Sequence, residues 1–147
     1  CVLNLMGHSE DPLKLTGEVM NEDMQIALMK EQSNKHAELG IYMNVVWLAY
    51  LFGDYTRAGE FVDKLVEESE VGSQAEELLK TFYCGLTCFA LAKDTNDRKW
   101  RKLAMKDLKK IKKWSKLSPF NCLQKLLLLK AEAAVLGRRY SKAEKYY

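Results

Sequence analysis

From Glu38 to Phe52 the apolar residues Leu39, Tyr42, Met43, Val46, Trp47 and Tyr50 recur at steps of three and four, which is one buried stripe on an α-helix. Gly53-Asp54 ends that stripe, because glycine accepts the left-handed conformation that closes a helix. A second helix is predicted from Tyr55 to about Glu70, with Ala58, Phe61, Val62 and Leu65 on one face, and Val71-Gly72-Ser73 after it. The next pair is predicted from about Gln74 to Lys93 and from about Asp97 to Leu117. Leu78, Leu79, Phe82, Leu86, Phe89 and Ala90 point inward from the first, and Trp100, Leu103, Ala104, Leu108, Ile111 and Trp114 from the second. Asp94-Thr95-Asn96-Asp97 between them is a turn rich in helix-capping side chains. After Ser118-Pro119 a further helix runs from Phe120 to Leu136, turns at Gly137-Arg138-Arg139, and is followed by a short helix from Tyr140. Residues 1–37 are patterned more weakly. His8 to Pro12 reads as a loop, Leu13 to Glu18 as a connector, and Glu22 to about Ser33 as a helix carrying Met24, Ile26, Ala27, Leu28 and Met29.

The fold class that follows is all-α, built of antiparallel helix-hairpin repeats. Turns near Gly53, Asp94 and Gly137 are about 42 residues apart, within the range of helix-hairpin repeats. Ala49 to Ala58 parallels Ala134 to Ala143: Gly53 and Gly137 end a helix, Tyr55 and Tyr140 plug the hairpin, and Ala58 and Ala143 let the second helix pack closely. The glycine-to-tyrosine spacing differs by one residue, and the middle hairpin lacks the signature. The pattern resembles the tetratricopeptide hairpin, which implies a fragment of an α-solenoid. Residues 1–37 are then a connector and partial helix, and 38–147 the repeats, with hairpins at about 38–72, 74–117 and 120–147. A chain that opens at Cys1 and stops at Tyr146-Tyr147 inside an amphipathic pattern is expected to be a segment of a longer protein.

Composition excludes more than it assigns. The chain has 147 residues, 48% hydrophobic and 29% charged, ordinary for a soluble domain with a real core. Two prolines leave long helices uninterrupted, and no apolar run approaches bilayer-spanning length. Cys1, Cys84, Cys88 and Cys122 form no CxxC pair. Cys84 and Cys88 stand one helical turn apart, but His8 and His36 are remote, so these cysteines read as small buried residues and no metal is expected. Their spacing suggests no disulfide, which fits a reducing, cytoplasmic setting. There is no phosphate loop and no GxGxxG, so no nucleotide or other cofactor is expected, and no catalytic residue is assigned. His8 sits in a polar loop, and Glu67-Glu68 and Glu76-Glu77 read as solvated helix ends.

One stretch departs from this neutrality. Between Arg98 and Lys116 stand ten basic residues and one acid, Asp107. Lys99, Lys102, Lys106, Lys109, Lys110 and Lys113 share roughly one helical face, opposite Trp100, Leu108 and Ile111. Such a stripe suits phosphate, an acidic lipid or an acidic protein surface. The acids Glu60, Asp63, Glu67, Glu68, Glu70, Glu76 and Glu77 precede it, so a merely solvated, partly neutralised face is the competing reading. Nucleic acid fits poorly, because the net charge is only +3 and the aromatic residues lie on the core side.

Several short strings in order resemble one family: Asn4-Leu5-Met6-Gly7, Asp11-Pro12, Gly17-Glu18, Tyr50 to Tyr55, Phe82 to Thr87, Lys113-Trp114-Ser115, Ser118 to Asn121, then Lys125 and Ala131-Glu132. They are similar to the helical repeat region of very large signalling kinases. In that family a protein-kinase-like domain and an AAA-type ATPase precede the repeats, and a GAF sensor and a histidine kinase often follow. The resemblance implies a non-catalytic module for protein–protein or inter-domain contacts. The alternative is an effector-sensing helical domain around an apolar small ligand, which calls for a closed apolar pocket.

Overall fold

The computed structural model describes residues 2–9, 11–17, 20–67 and 73–147, and the chain divides into two compact units, 1–72 and 73–147. The first unit contains α1 (Val2–Leu5), the short strands β1 (Thr16–Gly17) and β2 (Met20–Asn21), and the helices α2 (Glu22–Glu31), α3 (Lys35–Leu51) and α4 (Tyr55–Glu67). Residues 1–37 therefore join the first hairpin in one unit. The stretch expected as a bare connector holds an antiparallel pair, Thr16 opposite Asn21 and Gly17 opposite Met20. The hairpin opening expected at 38 starts three residues earlier, because Asn34 caps α3 by accepting from the Ala37 N–H.

Two buried polar side chains shape the start of this unit. The Asn4 amide lies within hydrogen-bond distance of Ser9 Oγ and of the carbonyls of Asp11, Pro12 and Lys14, which folds the loop over it. Glu22 is only 3% exposed. Its carboxylate accepts from the Leu15 N–H at 3.0 Å and pairs with Arg57 of α4 at 2.5 Å, so it ties the N-terminal loop to the hairpin. The hairpin buries Leu39, Tyr42, Val45, Val46 and Leu48 of α3 against Ala58, Phe61, Val62 and Leu65 of α4. Gly53 takes φ +80°, the left-handed turn expected of it, and Asp54 caps α4 through the Arg57 N–H. Tyr55 is half-buried beside Tyr50, with ring centroids 5.7 Å apart.

The second unit holds α5 (Gln74–Thr95), α6 (Arg98–Leu117), α7 (Pro119–Leu136) and α8 (Tyr140–Glu144). Ser73 and Glu76 make a reciprocal capping box on α5, Asn96 closes it in the left-handed region, and Asp97 caps α6. Pro119 opens α7 at a position where its missing N–H costs nothing. Three helices enclose the core: Phe82, Leu86, Cys88 and Phe89 of α5, Ala104, Leu108 and Ile111 of α6, and Cys122, Leu126 and Leu129 of α7. Gly85 is a point of close approach. A Cβ there would sit 3.2 Å from Leu129 Cδ2 and 3.3 Å from Asp107 Cβ.

Two expected packing roles are corrected, at Leu79 and Tyr140. Leu79 is 45% exposed rather than inward, because continuous burial of α5 begins only at Thr81, beyond its first two turns. Gly137 ends α7 as expected, but with φ −86°, and the left-handed residue of the turn is Arg138 at φ +55°. Tyr140 does not plug its hairpin but is 62% exposed. Val135 stands five residues before it where Tyr50 stands before Tyr55, and is too small to hold the ring. Ala143, like Ala58, is buried as expected.

Candidate functional site: the two faces of α6

The expected lysine face is present on α6. Lys99, Lys102, Lys106, Lys109 and Lys113 are exposed. Trp100, Ala104, Leu108, Ile111 and Trp114 anchor the opposite side against the bundle. Twenty helical residues make this a ridge of about 30 Å. Among the described residues no ion pair engages Lys102, Lys106, Lys109 or Lys113. Lys99 lies over the Trp100 ring, 4.2 Å from its centroid.

Lys110 is the exception. It turns toward α5, where its Nζ sits 2.5 Å from Glu77 Oε1, while Lys80 Nζ meets Glu77 Oε2 at the same distance. Glu77 is therefore not the solvated helix end that its position suggests. Burial opposes its ionisation, but the hydrogen bonds from Lys110 and Lys80 outweigh that and hold the carboxyl below its usual range. Glu76, by contrast, is exposed and spent on the cap of α5.

Asp107, the single acid of the helix, lies on the other side. It stands one heptad from both Trp100 and Trp114 and four residues before Ile111, so it shares the apolar stripe. Its Cβ packs toward Gly85, and no hydrogen bond or ion pair among the described residues holds its carboxylate. Burial pushes its pKa up to about 7. Lys106 and Lys110 pull it down, Glu77 pushes it up, and Lys80 pulls it down. By charge alone Asp107 is one acid in a basic run; its helical phase is the signal that separates it from that run.

The cysteines behave as small core residues. Cys84, Cys88 and Cys122 are buried, and none is in a disulfide. Burial, with Asp107 beside it, pushes the Cys84 thiol well above its ordinary range, which disfavours the nucleophilic thiolate. Cys1 lies outside the described residues. Among the described residues no three metal-ligating side chains come together, and no helix is long and apolar enough to cross a membrane. His8 and His36 are both exposed. A depression of about 380 Å³ beside α8, lined by Ser141, Lys142, Lys145 and Tyr146, is open to solvent rather than enclosed.

No family model, curated protein or solved structure matches this chain, so the likeness to the repeat region of signalling kinases stands on its residues alone. Several of those residues have structural work: Asn4 gathers the first loop, Gly53-Asp54 make the α3–α4 turn, Gly85 admits α6 and α7, and Pro119 starts α7.

Proposed function

We propose that this chain is a non-catalytic helical-hairpin module that works by contact with partner proteins or neighbouring domains. Its electrostatic contact face is the lysine side of α6. The observation that carries this reading is the row Lys102, Lys106, Lys109 and Lys113, exposed and without ion-pair partners among the described residues, on a helix firmly anchored by its other side. Lys110 differs from that row, being drawn toward α5 by Glu77. In the multidomain signalling kinases that the chain resembles, such a module would couple an ATPase-like switch to sensor and kinase domains, with tetratricopeptide-like hairpins as the scaffold. Buried cysteines held outside disulfides suit a reducing, cytoplasmic setting.

The test is retention on immobilised polyglutamate across a salt gradient. Wild-type chain is expected to bind and to elute steeply with salt. Lys102→Gln, Lys106→Gln, Lys109→Gln and Lys113→Gln combined should abolish retention without loss of helicity. Equal retention of wild type and variant would refute the assignment of the face.

A further inference from the structure

The lysine ridge does not end in lysine. Lys102, Lys106, Lys109, Lys113 and Leu117 succeed one another at steps of four and three along one strip of α6. Leu117 is the last residue of the helix and is 80% exposed. One residue, Ser118, separates α6 from α7, and Phe120 in the first turn of α7 is 93% exposed. Leu123, one turn further, is 48% exposed. Scattered apolar residues on a surface are ordinary, but here the most exposed leucine and phenylalanine among the described residues share a corner, at the tip of a basic helix.

We propose that this α6–α7 corner is a peripheral membrane-binding edge, with the lysine ridge meeting anionic lipid headgroups and Leu117 and Phe120 entering the interface beneath them. The inference rests on the lysine side of α6 being a contact face, and gives that face a lipid surface in place of a protein partner. Three observations favour a lipid surface over a protein. Of the ten basic residues of α6, eight are lysine. Lysine is depleted in protein–protein interfaces, where arginine is enriched, whereas lysine clusters are drawn to anionic bilayers, which need no fixed hydrogen-bond geometry. The ridge carries one sign only, because Asp107 is turned into the bundle and Glu77 is held by Lys80 and Lys110. The apolar tip is nearly bare, which suits insertion among lipid chains. Nucleic acid is disfavoured because Trp100 and Trp114 are anchored on the bundle side of α6 and not offered for base stacking.

Co-sedimentation of the whole chain with phosphatidylcholine vesicles, with and without phosphatidylserine, decides the matter. Binding is expected only with phosphatidylserine, and is expected to weaken steeply with salt. Each lysine near an anionic surface contributes roughly a factor of five, so the quadruple lysine-to-glutamine variant should lose roughly 600-fold, close to three orders of magnitude. Leu117→Ser with Phe120→Ser should lose roughly tenfold or more while keeping the salt dependence, because it removes insertion and no charge. Both variants alter exposed side chains, so their melting curves should match wild type. Absence of binding to phosphatidylserine vesicles at low salt overturns the proposal. So does equal binding by wild type and the serine variant, or tighter binding to DNA or polyglutamate than to vesicles. A chain that still binds polyglutamate but not vesicles would leave the contact face standing and remove the membrane.

Discussion

Asp107 is the residue whose chemistry is least expected from its neighbours in sequence. An unfolded aspartate titrates near pH 4, whereas in the fold burial raises Asp107 to about 7. Between those values the folded state binds the extra proton. Its contribution to stability is therefore full below about pH 4, declines as the pH rises toward 7, and is absent above. Glu77 acts with the opposite sign: its carboxyl is held low, so its contribution is present at neutral pH and lost in acid. The cost of charging Asp107 is discounted because its carboxylate keeps some contact with water, leaving about 1–3 kcal/mol. Asp107→Asn is thus expected to raise stability at pH 8 and to leave it little changed at pH 4. Urea midpoints of both proteins at the two pH values check this, and an equal effect at both would mean that the carboxyl is solvated. In the first unit the buried carboxylate is paired, Glu22 with Arg57. Arg57→Met strands the buried Glu22 carboxylate and should cost about 3 kcal/mol, near the low end for a broken buried pair because Arg57 keeps some exposure. Glu22→Gln added to it should recover part of that loss, readable as a shift in urea midpoint.

At the scale of elements, periodicity and caps located most of the chain. The 3.6-residue stripe placed α3 to α7 within a few residues, apart from the expected end of α4 at about Glu70, which lies outside the described residues, because each helix buries one face and is bounded by a residue with a physical reason to stand there: Gly53, Asp97 or Pro119. What the pattern could not supply was anything decided by a neighbour distant in sequence. Leu79 looks inward on its own helix, but burial of α5 becomes continuous only from Thr81. Glu77 looks solvated until Lys110, thirty-three residues on, reaches it. The lysine face itself was legible because exposure is the default for a charged stripe opposite an apolar one. Asp107 was legible in principle from its heptad spacing to two tryptophans, but was masked by the run of charge around it. The α7–α8 turn shows a similar subtlety: glycine stands one residue before the position that needs it. Arg138→Gly is expected to stabilise by about 1 kcal/mol by relieving a left-handed arginine, while Gly137→Ala should do little, since its φ is already negative. Thermal melts of the two variants separate the assignments. Ala58, fully buried where α4 meets α3, tests the first hairpin: Ala58→Leu should overpack it at a cost of about 1–3 kcal/mol in urea unfolding, and an unchanged midpoint would mean that the register is wrong.

At the scale of the molecule the two units have separate means of holding together. The first depends on a short hairpin core reinforced by polar ties, Asn4 under its loop and Glu22 with Arg57. The second is a three-helix core around Phe89, Ile111 and Leu129, all buried to below 3% exposure, with α8 resting on α7. Residues 73–147 bring their own N-cap, since Ser73 and Glu76 close the start of α5, and their own turn signals at Asn96, Asp97 and Pro119. A fragment beginning at Ser73 therefore lacks nothing that the core of this unit uses, and is expected to fold alone with a single cooperative melt. Small domains of this size have little stability to spare, so the fragment should also be sensitive to its tightest crossing. Gly85→Val places new methyl groups where a single Cβ already comes within 3.3 Å of both α6 and α7, and should cost about 1–3 kcal/mol. Circular dichroism melts of the fragment, with and without Gly85→Val, provide the measurement. A gradual, non-cooperative transition in the unmodified fragment would mean that the core of residues 73–147 is not self-sufficient.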